Sequence, residues 1–284
     1  MPHVLVPVDF SPAGDGIIRY AADLTRHVNG TLTLLNVYPL PIATPEMPAE
    51  MLLAEEIRVD ADRRLQALAG KILDGGVRVE TKLVAGSPGS EIVYLTEQLH
   101  PDLIVMGSLG AGSRQSWLGS NTLYVLDRSP VPLLVLPENV SFKPWQRVVC
   151  GTDFDYHELD AIAGAAKWLK TPQAELVLLH VNDGGSDEAK NTDVYRVSFV
   201  EKVRELSGVP HINYAFIAER TDILERLHDY STQHDADLLL MLHRVRKGLA
   251  RMFEQSLTKS MAKNLALPLL SYPVLPTDTV HKPE

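Results

Sequence analysis

The chain predicts an α/β protein of two tandem domains, each a five-stranded parallel sheet. Three observations carry that expectation. Short apolar runs alternate with helical patterns along the chain, which is the signature of parallel α/β units. The chain also resembles itself: His3 to Phe10 matches Arg147 to Phe154, and Thr31 to Val37 matches Glu175 to Val181, both at an offset of 144 residues. Later, Asp102 to Met106 matches Asp237 to Met241, and Pro130 to Leu134 matches Ala266 to Leu270. Four matches in one order mean a duplicated domain. The third observation is a glycine-rich stretch, Met106 to Thr122, between an apolar run and a helical pattern. The boundary is expected near Phe142 to Trp145, giving domains 1–140 and 145–276.

The elements of the first copy follow in order. Val4 to Val8 is strand one. Ala13 to Asn29 is a helix, with Ser11 as its cap, Pro12 in its first turn and Gly30 at its end. Thr31 to Val37 is strand two, followed by a proline-rich loop from Pro39 to Pro48. The proline-free stretch Glu50 to Leu73 is a long helix stopped by Gly75-Gly76. Strand three is Val77 to Val84, a helix spans Ser90 to Leu99, and strand four is Leu103 to Met106. A short helix from Leu123 to Arg128 precedes strand five, Leu133 to Leu136. The second copy repeats this with a shorter middle. It has a strand around Val148 to Cys150, helices Asp160 to Leu169 and Asp193 to Leu206, and strands Leu176 to Val181, His211 to Ile217, Leu238 to Met241 and Leu269 to Tyr272. The tail from Pro276 is polar.

Composition narrows the function. The net charge of -9 argues against a general nucleic-acid surface. The single cysteine, Cys150, excludes an internal disulfide framework and reads as a buried strand residue. The N-terminus runs straight into a strand pattern without a signal-peptide layout, and no apolar run approaches a membrane span. The expectation is a soluble cytoplasmic protein.

In parallel α/β sheets ligands sit beyond the carboxyl ends of the strands, at a switch in strand order. That places Pro7-Val8-Asp9, Val37 and Met106-Gly107 around one slot beside the glycine loop. Glycines and a helix N-terminus can cradle a phosphate. Asp9 has two readings: a carboxylate for ribose hydroxyls or a phosphate-bound Mg²⁺, or a cap on the turn Phe10-Ser11-Pro12. The persistence of Asp153 in the second copy favours the structural one. No glycine triplet follows strand one, and no Gly-Lys-Ser or Gly-Lys-Thr occurs, which weakens dehydrogenase and P-loop readings.

Pro7-Val8-Asp9-Phe10-Ser11, Leu35-Asn36-Val37, Asp102 to Gly107 and Gly119-Ser120-Asn121-Thr122 together resemble the universal stress protein family. The second copy resembles it through Asp153, Leu179-His180-Val181 and Ala236-Asp237-Leu238. The likeness covers nearly the whole chain, to about residue 276. It implies a Rossmann-like sheet with helices on both faces. It also implies ATP held through a loop of the form glycine, two residues, glycine, nine residues, glycine, then serine or threonine. Carried over, the nucleotide contacts are Pro7, Val8, Asp9, Val37 by its backbone, Met106, Gly107, Leu109, Gly110, Gly119, Ser120 and Asn121, with Mg²⁺ reached through Asp9.

Two departures stand out. Only eight residues separate Gly110 from Gly119, and Leu109 replaces a commonly polar residue. The second copy, with Leu242, Val245, Gln255 and Ser256 in the matching stretch, keeps none of the glycine positions. It is expected to be nucleotide-free, and its basic cluster Arg244, Arg246, Lys247 and Arg251 to be solvated surface. His180 is expected to be packed or hydrogen-bonded rather than a general base. No catalytic set is marked by a motif, so the resemblance implies at most slow ATP hydrolysis.

The leading expectation is a stress-response module binding ATP or another adenine nucleotide in its first domain, with an unknown protein partner. The family likeness implies that the copies pair through Leu133 to Leu136 and Leu269 to Tyr272, and it leaves room for a homodimer. The alternatives are a nucleotide-independent scaffold and, further off, a nucleotide-dependent transferase.

Overall fold

The computed structural model describes residues 1–39, 48–73, 75–108, 119–181, 192–217, 223–244 and 267–274. The chain divides into two compact units, Met1–Phe142 and Lys143–Glu284. Each is a parallel sheet with the same strand order.

In the N-terminal unit the strands are β1 (His3–Pro7), β2 (Thr31–Tyr38), β3 (Arg78–Ala85), β4 (Leu103–Gly107) and β5 (Leu133–Leu136). Their order across the sheet is β3-β2-β1-β4-β5, all parallel, so the order reverses between β1 and β4. The helices are α1 (Gly14–His27), α2 (Pro48–Leu73), α3 (Pro88–Leu99) and α4 (Ser120–Arg128). Val4, Leu5, Val6, Leu103, Ile104 and Val105 are fully buried. Continuous apolar runs of this kind belong to central strands covered on both faces.

The C-terminal unit contains β6 (Arg147–Gly151), β7 (Glu175–Val181), β8 (His211–Ile217), β9 (Leu238–Arg244) and β10 (Leu269–Val274). The order β8-β7-β6-β9-β10 repeats that of the first unit. A short 3-10 turn (Tyr156–Glu158) leads into α5 (Leu159–Ala166); α6 (Asp193–Ser207) and α7 (Ile223–Gln233) follow. The helix α7 is an addition to the elements expected from the sequence, although Ile223, Leu227 and Tyr230 carry a helical period.

The repeat rests on shared latches. Asp102 Oδ2 accepts the backbone N–H of His3 at 2.7 Å, and the Asp102 N–H donates to His3 O at 2.8 Å. In the second unit Asp237 Oδ2 accepts the N–H groups of Gln146 and Arg147 at 2.8 and 3.0 Å, and its own N–H donates to Arg147 O. The repeated aspartate therefore ties the start of the fourth strand to the start of the first. Burial pushes the Asp237 carboxyl up, but the Lys143 ammonium at 2.6 Å and the two N–H groups outweigh it and hold it below the ordinary value.

The end of α1 differs in detail from expectation. The left-handed residue is Asn29 (φ 52), after the helix stops at His27. Gly30 is required for another reason: a Cβ there would lie 2.6 Å from the carbonyl oxygen of Pro2, which accepts the N–H of Thr31. At the other end, α1 begins at Gly14, and Ser11 Oγ accepts the Gly14 N–H at 3.2 Å, the reach of an N-cap serine to its third following residue. Cys150 is fully buried, as its flanks suggest, and burial, followed by the nearby Glu158, pushes its thiol well up.

Candidate functional site

The carboxyl ends of β1, β2 and β4 lie side by side in the N-terminal unit. Pairing of Val4 with Leu103 and Leu5 with Ile104 sets the β1 end beside Met106 and Gly107. Pairing of Pro7 with Leu35 sets it beside β2. The Val8 N–H donates to Leu35 O at 2.7 Å, and Asn36 Nδ2 donates to Val8 O at 2.7 Å. The sheet thus brings together Pro7, Val8, Asp9, Val37, Met106 and Gly107 at the topological switch. Val8 and Met106 are buried, Pro7, Val37 and Gly107 are half-buried, and Asp9 is exposed.

Residues 119–122 return to the same place. The Gly119 N–H donates to Ser108 O at 2.7 Å, and Thr122 Oγ1 donates to Gly107 O at 2.9 Å. Ser120 and Asn121 are exposed in the first turn of α4, and the cap residue Gly119 supplies no side-chain hydrogen bond. An uncapped helix start presents backbone N–H groups and partial positive charge, which suits an anion. Leu109 and Gly110 lie outside the described residues.

Asp9 has its turn role here. Its Oδ1 accepts from the Ser11 N–H at 2.9 Å and from Ser11 Oγ at 2.7 Å, closing an Asx turn over Phe10. Phe10 takes a left-handed φ of 57, and the Arg64 guanidinium stacks on its ring at 4.2 Å.

The matching turn of the C-terminal unit keeps the backbone and changes the groups. Phe154, at the position of Phe10, is also left-handed (φ 52). Yet Asp153 is solvent-facing, and its nearest partner of opposite potential charge is His180, 3.7 Å away. Glu158 and Thr152 hold the turn instead. The inference that a persisting aspartate marks the same structural duty is therefore corrected: a nearer hydroxyl and a buried carboxylate have taken over the bonds. His180 is hydrogen-bonded and packed, as expected. Its Nδ1 lies 2.8 Å from Thr152 O, which assigns the proton to Nδ1, and its ring stacks on Phe216 at 5.5 Å. The Arg196 guanidinium lies over the same Phe216 ring at 3.9 Å.

Leu242 is half-buried at the β9 end. Val245, Arg246, Lys247, Gly248, Arg251, Gln255 and Ser256 fall outside the described residues, as does the tail from Pro276. Among the described residues no cluster of His, Cys, Asp and Glu suits a metal ion, and no helix is long and apolar enough to cross a membrane.

The family model of the universal stress protein family matches the chain twice, over residues 1–137 and 144–273. Universal stress protein G of Salmonella typhimurium is 28% identical over 138 residues, covering 47% of this chain and 96% of that protein. A universal stress protein of Methanocaldococcus jannaschii is 25% identical over 137 residues, covering 47% of this chain and 80% of that protein. Among solved structures, a universal stress protein from Archaeoglobus fulgidus covers 95% of each chain with a TM-score of 0.71 at 23% identity, a likeness of fold. The chain belongs to the universal stress protein family, as a tandem two-domain member.

Proposed function

We propose that this tandem member of the universal stress protein family binds ATP or another adenine nucleotide in its N-terminal domain, residues 1–140. The C-terminal domain, residues 145–276, is the nucleotide-free half. The observation that carries the reading is the meeting of the β1, β2 and β4 ends with an uncapped α4 N-terminus at the strand-order switch. Val8, Val37 and Met106 offer an apolar slot for a base, and the first turn of α4 with Gly119, Ser120 and Asn121 offers N–H groups for phosphate. Asp9 would hold ribose hydroxyls or Mg²⁺ from the rim. Bound nucleotide would engage residues 107 to 122 and change a surface read by a protein partner in the cytoplasm, with the chain acting alone or as a homodimer.

Isothermal titration of the full chain with Mg-ATP, beside Gly110→Val, tests this. One site per chain, lost in the variant, is the expected result. Absence of heat together with no nucleotide carried through purification overturns it in favour of a nucleotide-independent interaction module. Two sites per chain would overturn the assignment of the second domain.

A further inference from the structure

The turn after the first strand is closed from opposite ends in the two domains. In the first domain position 14 is glycine, and a Cβ there would lie 3.3 Å from Asp9 Oδ1 and 3.5 Å from Ser11 Oγ. The 144-residue offset puts Glu158 at the matching position. Glu158 folds back under the turn, where its Oε2 accepts from Thr152 Oγ1 at 2.6 Å and from the Asp153 N–H at 3.3 Å. Thr152 Oγ1 in turn accepts the Phe154 N–H at 2.9 Å. One carboxyl group therefore ties the β6 end to the buried, left-handed Phe154.

The surroundings disfavour a charge there. Glu158 is 6% exposed. Among the described residues, the Cys150 thiol on β6 and Asp153 and Asp155 in the turn lie near it, His157 and Asp160 flank it in sequence, His180 on β7 has its Nδ1 taken by Thr152 O, and Tyr195 on α6 donates its Oη to Phe154 O. Among the described residues no cation makes an ion pair with Glu158, and Asp153 and Asp155 repel its charged form. Burial first, then these two acids, raise the carboxyl to about 7 against the bonds from Thr152 and Asp153.

We propose that the C-terminal domain takes a proton as its ligand, with the Glu158 carboxyl as the site and the hydrogen bonding of turn 152–158 as the readout. In the charged form the carboxylate accepts from Thr152 and Asp153. In the neutral form it carries a proton of its own, and the Thr152 bond can reverse. The two domains then read different inputs at the same place in the fold. The inference stands whether or not the first domain binds nucleotide.

The test is a titration of the ¹⁵N-labelled full chain from about pH 5.5 to about pH 8.5. It follows the Thr152, Asp153 and Phe154 amides in wild type, Glu158→Gln and His180→Asn. His180→Asn installs the residue that the first domain uses at Asn36 for the same carbonyl bond. Wild type and His180→Asn should share a one-proton inflection near neutrality that Glu158→Gln lacks. No inflection in wild type, or one that survives in Glu158→Gln, or one lost in His180→Asn, overturns the proposal. Should Glu158→Gln fail to fold, the Glu158 side-chain carboxyl ¹³C shift in wild type decides. A midpoint near 7 supports the site, and a midpoint in the ordinary carboxylate range overturns it.

Discussion

Glu158→Gln should stabilise the C-terminal domain at alkaline pH and leave it unchanged in acid. Glutamine keeps the shape and an acceptor oxygen for Thr152, and it removes the charge. The folded carboxyl titrates at about 7 and the unfolded one at 4.5. At ~1.4 kcal/mol per unit, this gap corresponds to about 3 kcal/mol. The sign follows from proton binding. Because the folded value is raised, the folded state binds the proton more tightly, so the contribution to stability is fully present below pH 4.5. It is lost as pH rises through about 7. Wild type therefore carries the whole penalty by about pH 8, and the variant carries none. Urea unfolding at about pH 4.5 and about pH 8 measures the difference. Trp145 and Trp168 are both buried in this domain, so their fluorescence isolates its transition in a Trp117→Phe background. A stability difference independent of pH, or a variant weaker than wild type at pH 8, would refute the reasoning.

Gly30→Ala should lower the melting temperature, with a cost of about 1–3 kcal/mol, because the new methyl meets the Pro2 carbonyl and neither backbone can retreat without breaking the start of the β1–β2 ladder. Asp237→Ala should cost about 2 kcal/mol, since two backbone N–H groups and Lys143 lose their acceptor. That carboxyl is held low, so its contribution is present above pH 3.8 and fades below it, and acid unfolding curves of wild type and variant should converge. Phe154→Ala should cost about 3–5 kcal/mol by emptying a buried site, read by calorimetry as loss of the C-terminal transition. Asp9→Asn keeps the Oδ1 acceptor for Ser11 and removes the charge, so melting should be unchanged while Mg-dependent nucleotide affinity falls; a large melting shift would mean that the charge serves the turn.

The duplication, the strands and the meeting of their ends were legible because each depends on patterns that a short window carries. Leu103 to Val105 and Val148 to Cys150 are apolar without interruption, and in the structure these residues are buried. What closes the first-strand turn was not legible. An aspartate follows the strand in both copies, yet Asp9 clasps Ser11 while Asp153 faces solvent. The difference is made by Thr152 and Glu158, residues that no motif joins. Neither did residue type announce the left-handed Phe10 and Phe154, because such φ values are uncommon outside Gly, Asn and Asp. The core of the glycine-rich stretch, residues 109–118, lies outside the described residues.

That the strained turn persists in both domains separates what it does for the fold from what it does for a ligand. A left-handed residue of this bulk costs roughly 1–2 kcal/mol, so the surroundings must hold it. In both domains they do, with different groups. Arg64 reaches Phe10 O at 3.4 Å, and Tyr195 Oη donates to Phe154 O at 3.0 Å. Asn36 Nδ2 and His180 Nδ1 each donate to the carbonyl one residue past the first strand of their domain, Val8 O and Thr152 O. The backbone course is thus retained while nearly every side chain that fixes it has been exchanged. A turn kept by different means in the domain without the glycine loop serves first to launch the next helix. Where the two turns differ is in the carboxylate each one offers, exposed Asp9 in one domain and sealed Glu158 in the other. It follows that swapping the two turns as units, residues 8–14 for 152–158, should preserve folding only if the supporting Arg64 or Tyr195 is exchanged with them.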